Sequence, residues 1–200
     1  ELSLMATISH PNIVKLMGFV EDMREGHAWI VLRWEANGNV REFLRSGEWD
    51  IPERISLIHD VVKGVEYLHS RQPPICHGDL KSLNILVDSS CHALITDFGS
   101  ARIQRCLTLS DPGFSLRWTA PEVLDNGVQC IPSDMWAVGW ICWEIMTGKF
   151  PFEELVAEPP IICRVVKGEL PAIRDDAQLS QIKVLCSVMS DCWISNPVKR

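Results

Sequence analysis

Apolar residues at positions 2, 4, 5 and 8 of Glu1-Leu2-Ser3-Leu4-Met5-Ala6-Thr7-Ile8 recur at helical spacing, so the chain opens with a predicted helix. His10-Pro11-Asn12 ends it, because proline disfavours helical geometry at the residue before it. Two strand-like runs follow, Ile13 to Val20 and Ala28 to Trp34, with a polar turn around Gly26 between them. Asn37-Gly38-Asn39 is a further turn signal. Beyond it the pattern becomes helical. Pro52 sits where a first helical turn tolerates it, and Ile55, Ile58, Val61, Val62, Val65 and Leu68 form a predicted apolar stripe. Ile85 to Val87 and Ala93 to Thr96 read as short strands around the turn at Asp88-Ser89-Ser90. Ser133 to Met146 is apolar almost all round, hence a buried helix, and Leu179 to Met189 is a last amphipathic one. With no repeat, low-complexity tract or linker, this is one packed, mostly helical unit preceded by a stub of sheet.

Composition narrows the class. A chain of 200 residues with 46% hydrophobic and 22% charged residues is soluble, globular and able to bury a core. A net charge of -7 argues against nucleic acid, whose phosphates need Lys and Arg, and against a polybasic membrane contact. The longest apolar run, Trp136 to Trp143, is eight residues and ends at Glu144. A membrane span needs about 20. No signal peptide opens the chain. Eight cysteines without a C-x-x-C pair argue against zinc and read as small buried hydrophobes in a reducing, cytoplasmic setting. The absence of an N-x-[ST] sequon agrees.

Three short motifs carry chemistry. His77-Gly78-Asp79-Leu80-Lys81-Ser82-Leu83-Asn84 comes first; Asp97-Phe98-Gly99 begins 18 residues after Asp79, and Ala120-Pro121-Glu122 follows. In this order they resemble the H-R-D-x-x-x-x-N, D-F-G and A-P-E signatures of protein kinases. The resemblance implies an α+β kinase-like fold, ATP and Mg2+ as cofactors, and a protein substrate. Phosphoryl transfer needs positioning and charge neutralisation more than covalent help. Asp79 would orient the substrate hydroxyl, and Lys81 would neutralise charge on the transferred phosphate. Asn84 and Asp97 offer the hard oxygen ligands that suit magnesium. Phe98 is expected to pack inward, and Gly99 to supply backbone freedom.

The resemblance extends along the chain. His10-Pro11-Asn12-Ile13-Val14 resembles the junction after the kinase C-helix, which places Glu1 at the glutamate that pairs with an ATP-orienting lysine. Ile30 to Gly38 resembles the strand and hinge behind adenine: Leu32 is then the gatekeeper, the backbones of Arg33 and Glu35 would bond adenine, and Leu86 would form the floor beneath it. Asp134-Met135-Trp136-Ala137-Val138-Gly139 resembles the D-x-W-x-x-G helix, whose aspartate holds the catalytic loop. Arg200 is implied to pair with Glu122, and Met5, Leu16, His77 and Phe98 to form a stack between lobes. The division implied is residues 1–35 as a partial N-lobe with hinge, and residues 36–200 as a C-lobe lacking its last helix.

Two departures stand out. These 200 residues hold no glycine-rich loop and no strand lysine, so alone they are expected to be inactive. Gly78 replaces the arginine that usually pairs with a phosphorylated activation-loop residue, which should make activity insensitive to phosphate on Thr108 or Ser110. Asp79-Leu80-Lys81 and Ser115 have the serine/threonine form, whereas Arg117-Trp118-Thr119-Ala120-Pro121-Glu122 resembles tyrosine kinases; together they resemble the tyrosine-kinase-like group of serine/threonine kinases. A non-catalytic binding module, a pseudokinase or truncated scaffold, is the alternative.

Overall fold

The computed structural model describes residues 1–103, 115–171 and 182–200. Thr108 and Ser110, Cys106, and the predicted helix start at Leu179 lie outside them. The opening helix is short: α1 covers Leu2–Met5, with Met5 buried. β1 (Leu16–Asp22) and β2 (His27–Leu32) form an antiparallel hairpin with an irregularity between Leu16 and Gly18. Its outer positions Met17, Phe19, Val20, Trp29 and Val31 are exposed.

Hydrogen bonds tie this N-terminal part to the rest. Val14 N–H donates to Ile95 O and Ile95 N–H to Asn12 O, while the Asn12 amide reaches Ala93 O. On the far side of the hairpin, Val87 N–H donates to Gly38 O. Helix α2 (Val40–Arg45) starts at once because Asn39 and Glu42 form a capping box, each satisfying the other's free N–H.

Helix α3 (Ile51–His69) carries Pro52 in its first turn as expected. Its buried face is Leu57, Ile58, Val61, Val65 and Leu68. Ile55 and Val62, expected in the stripe, are 40% and 38% exposed. The arc that meets β5 and the helix below runs through 57, 61, 64, 65 and 68, and positions 55 and 62 fall at its margin.

β3 (Ile75–Cys76) pairs with β6 (Arg102–Ile103), and β4 (Ile85–Val87) pairs with β5 (Ala93–Ile95) across the expected turn. The short α4 (Pro121–Asn126) precedes α5 (Ile131–Thr147), which is buried over nearly its whole circumference. Each fully buried aliphatic such as Ile141 or Ile145 contributes about 1.5–3 kcal/mol relative to exposure. Helix α7 (Lys183–Cys192) packs against it, and α6 (Glu158–Val166) packs against α4 and the Leu116–Trp118 turn. At Gly139 a Cβ would stand 2.7 Å from Trp193 Nε1, so only glycine lets α5 and α7 approach so closely. Trp140 there meets Trp143, Phe152 and Trp193. The indole N–H groups of Trp136, Trp140 and Trp193 are buried with no acceptor among the described residues.

The cysteine expectation holds only in part. Cys76, Cys142 and Cys192 are buried, but Cys91 and Cys163 are exposed. Cys91 lies in the turn between β4 and β5 and Cys163 on the outer side of α6, so burial does not follow from residue type alone. Among the described residues no helix is long and apolar enough to cross a membrane.

Candidate active site

The loop after β3 is held from below. Asp134, in the first turn of α5 and 2% exposed, accepts from His77 N–H at 2.8 Å and Gly78 N–H at 2.9 Å. A buried carboxylate without partners would be costly; here it makes charge-assisted bonds to two consecutive amides. His69 Nε2 adds a third contact at 2.9 Å, from the last turn of α3. Three elements therefore converge on one side chain and fix where the loop leaves the core.

His77 is fully buried. Its Nε2 lies 3.1 Å from Thr96 O and its Nδ1 accepts from Asp79 N–H at 3.3 Å. A carbonyl only accepts, so Nε2 carries the proton and the ring is neutral. Burial lowers its pKa and keeps it so. The ring packs on Phe98 with centroids 5.0 Å apart, and Phe98 is itself fully buried, as expected. Met5 belongs to the same core and Leu16 packs against it.

Asp97, not Gly99, takes the unusual backbone conformation: its φ is 64° and ψ 72°. The left-handed region is strained for most side chains but tolerable for aspartate. Gly99, expected to supply the turn, has no positive φ, and a side chain there would make only ordinary van der Waals contacts. A Cβ there would lie 3.4 Å from Asp97 Oδ1 and 3.7 Å from Glu1 Oε2. The carboxylates of Glu1 and Asp97, 96 positions apart in the chain, thus face one point beside Gly99.

Asp79, Lys81 and Asn84 form one bonded group. Lys81 Nζ donates to Asp79 Oδ2 at 2.6 Å and to Ser115 Oγ at 2.8 Å. The Asn84 amide nitrogen donates to Asp79 O at 2.9 Å and Oδ2 at 3.1 Å. These bonds load Oδ2 and leave Asp79 Oδ1 without a protein donor among the described residues. Asn84 likewise keeps its amide oxygen free. Lys81 joins the loop to the chain at Ser115, which turns into Leu116–Trp118.

The remaining expected residues lie on β2, on the segment that follows it and on β4. Leu32 closes β2 against the core, and Arg33 is exposed. Glu35 was expected to act through its backbone; its carboxylate is also buried, 3.7 Å from Arg33 Nε. Leu86 pairs with Asn39, which sets it beside the segment that follows β2. None of Leu32, Arg33, Glu35 or Leu86 bonds to the Asp79 group.

Two participants had no motif to reveal them. Glu144, inside the apolar run of α5, accepts from Ser82 Oγ at 2.8 Å and Trp118 Nε1 at 2.7 Å. Burial pushes its pKa up to about 7, against the two hydrogen bonds. Gln129 Nε2 donates to Gly78 O. The one sequence signal was Glu144 itself, a carboxylate that ends an eight-residue apolar stretch on a helix too buried to solvate it.

Among the described residues no cluster of three or more His, Cys, Asp or Glu could hold a metal unaided. Asp97 and the Asn84 oxygen would supply only two hard ligands, which fits magnesium. That ion is commonly bound by one or two carboxylates and completed by phosphate and water.

The family model described as "Protein tyrosine and serine/threonine kinase" matches residues 1–200. The chain is 33% identical over 206 residues to the serine/threonine-protein kinase CTR1 of Arabidopsis thaliana, covering 100% of this chain and 24% of that protein. It is 31% identical over 205 residues to R826 of Acanthamoeba polyphaga mimivirus, named for a serine/threonine-protein kinase/receptor, covering 100% and 12%. It is 29% identical over 208 residues to the tyrosine-protein kinase receptor svh-2 of Caenorhabditis elegans, covering 100% and 19%. The chain therefore spans less than a quarter of the length of each.

Proposed function

The chain belongs to the protein tyrosine and serine/threonine kinase family, and on that premise we propose that it supplies the phosphoryl-transfer site of a serine/threonine kinase. The observation that carries this reading is the Asp79–Lys81–Ser115 arrangement. Asp79 Oδ1, free of protein donors, accepts the proton side of a substrate hydroxyl and aims its oxygen. Lys81 holds a positive charge 2.6 Å from Asp79 Oδ2, placed to offset charge on the group being transferred. Ser115 carries the serine/threonine choice, since it ties the substrate-side segment to that lysine.

Asp97 and the Asn84 oxygen would hold Mg2+, which when bound neutralises the phosphates of ATP. Leu86 and Leu32 would pack the adenine ring, the backbones of Arg33 and Glu35 would bond its edge, and Glu1 would pair with an ATP-orienting lysine. In this reading residues 1–35 are part of the N-lobe with its hinge and residues 36–200 the C-lobe. The setting is intracellular and the partners are ATP and a protein.

The test is Asp79→Asn in the full-length protein. The change is nearly isosteric and removes only the charge. Turnover should be abolished while the melting temperature and nucleotide binding persist; retention of most wild-type turnover would falsify the role given to Asp79. Asp97→Asn should instead weaken magnesium-dependent nucleotide binding.

A further inference from the structure

Between α2 and α5 lies a cavity of about 90 Å³ with Arg41, Arg45 and Lys149 on its walls and Ser82 and Glu144 on its floor. We infer that it receives an anionic side chain, a carboxylate or a phosphomonoester, of the protein substrate. The inference rests on the phosphoryl-transfer reading and deepens it by naming what the substrate must carry.

The first argument is charge. In a chain with net charge -7, three cations converge on one small space. Among the described residues none of their side chains has a hydrogen-bond or ion-pair partner. Arg41 and Arg45 are one turn apart on α2, a spacing at which like charges destabilise a helix. Arg41 is also partly desolvated: its guanidinium stacks 3.7 Å from the Phe150 ring centroid, and burial, then the nearby Arg45, lowers its pKa against the opposing pull of Glu144 and Glu153.

The only carboxyl in the lining does not resolve this excess. Both Glu144 oxygens are already taken, one by Ser82 and one by Trp118. With its pKa pushed up to about 7, part of the population carries no charge at neutral pH. An incoming anion would meet positive charge on the walls and a satisfied floor.

The second argument is position. Ser82 lies in the loop that carries Asp79 and Lys81, and Trp118 follows Ser115, to which Lys81 donates. One lining residue, Ser82, is thus only three positions along the loop from Asp79. At about 90 Å³ the space is on the scale of one side-chain head group rather than of a peptide segment.

The test uses the full-length protein and peptides with a single serine acceptor, each flanking position set in turn to alanine, aspartate, phosphoserine or lysine. Two quantities are read: the ratio of kcat/KM for the anionic over the alanine peptide, and the same ratio for equilibrium binding by calorimetry. At one flanking position the wild type should prefer an anion by about tenfold or more. Arg41→Gln should bring that ratio close to one. Lys149→Glu, at an exposed position, should reverse it in favour of lysine. Preference for phosphoserine over aspartate would identify a phosphorylated partner residue, and equal preference an acidic one.

No anion preference at any position, or one that survives both variants, overturns the inference. So does competition by inorganic phosphate without a gain for either anionic peptide. Anion-selective binding without any transfer would keep the cavity and sink the phosphoryl-transfer reading, so the two failures are distinguishable.

Discussion

Gln129 donates a hydrogen bond to the carbonyl of Gly78 and sets its own amide oxygen where a side chain on Gly78 would begin. Gly78 has φ +79°, and a Cβ there would stand 2.4 Å from Gln129 Oε1 and 2.9 Å from Ser100 O. The first neighbour can swing away; the second is backbone and cannot. Gly78→Ala should therefore cost about 1–3 kcal/mol through strain and crowding. Adding Gln129→Ala should recover only part of that loss. Melting curves of both single variants and the double test this, and full recovery in the double would place the whole cost on the glutamine.

The same contact bears on regulation. With Gly78 in place of arginine, the loop has no cation there to grip a phosphate, and Gln129 clamps it without one. Phosphatase treatment of the full-length enzyme, or changing Thr108 and Ser110 to alanine together, should alter activity by less than about tenfold, or 1.4 kcal/mol in barrier. A larger loss would mean that another basic residue does the arginine's work. Both residues lie outside the described part of the chain.

Arg200 pairs with Glu122 through two bonds, at 2.6 and 3.2 Å, with the Arg200 side chain fully buried. Its other donors reach Pro132 O and Ile194 O. Glu122→Ala should destabilise by about 3–5 kcal/mol because it strands a buried cation. Replacing both residues with apolar ones should cost less. Thermal melting of the singles and the double decides; strictly additive losses would contradict the pairing.

Glu144 makes stability fall with rising pH. Its folded pKa, about 7, lies above the ordinary glutamate value of 4.5, so the folded state binds the proton more tightly than the unfolded one. The burial penalty is absent below pH 4.5, grows through the interval up to 7 and is complete above it, at about 3 kcal/mol. His77, whose pKa is lowered by burial, acts oppositely: its stabilisation is present above 6.5 and lost on acidification. Glu144→Gln leaves His77 in place and keeps the side-chain shape; its single amide oxygen can accept from Ser82 or Trp118 but not both, a loss that does not change with pH. The variant should gain on the wild type between pH 5 and 8 in parallel denaturant titrations. A constant difference across that range would show that Glu144 stays charged.

Much of this was legible in the sequence because the motifs are local. Asp79, Lys81 and Asn84 sit within six residues, so their bonding follows from the loop's own geometry. Asp134 was also foreseeable, because its helix resembles the kinase D-x-W-x-x-G helix and a buried acid needs partners. Gln129 and Glu144 were not, because their partners are 51, 26 and 62 residues away and only packing brings them together. The errors have the same origin. Periodicity cannot say which of two adjacent arcs of α3 meets the core, so Leu57 was passed over for Ile55 and Val62. Nor does a glycine in a turn motif say which neighbour bends, and it is Asp97 that adopts the left-handed geometry.

The indoles of α5 and α7 give the protein a built-in optical gauge. Trp136, Trp140 and Trp193 are dry, and their N–H groups have no acceptor among the described residues. Trp34 is 85% exposed and Trp29 51% exposed at the opposite end of the chain. Fluorescence from the first group should be blue-shifted and protected from aqueous quenchers; that from the second should be red-shifted and readily quenched. Following both bands during unfolding would show whether the hairpin loosens before the helical core opens, without attaching any dye.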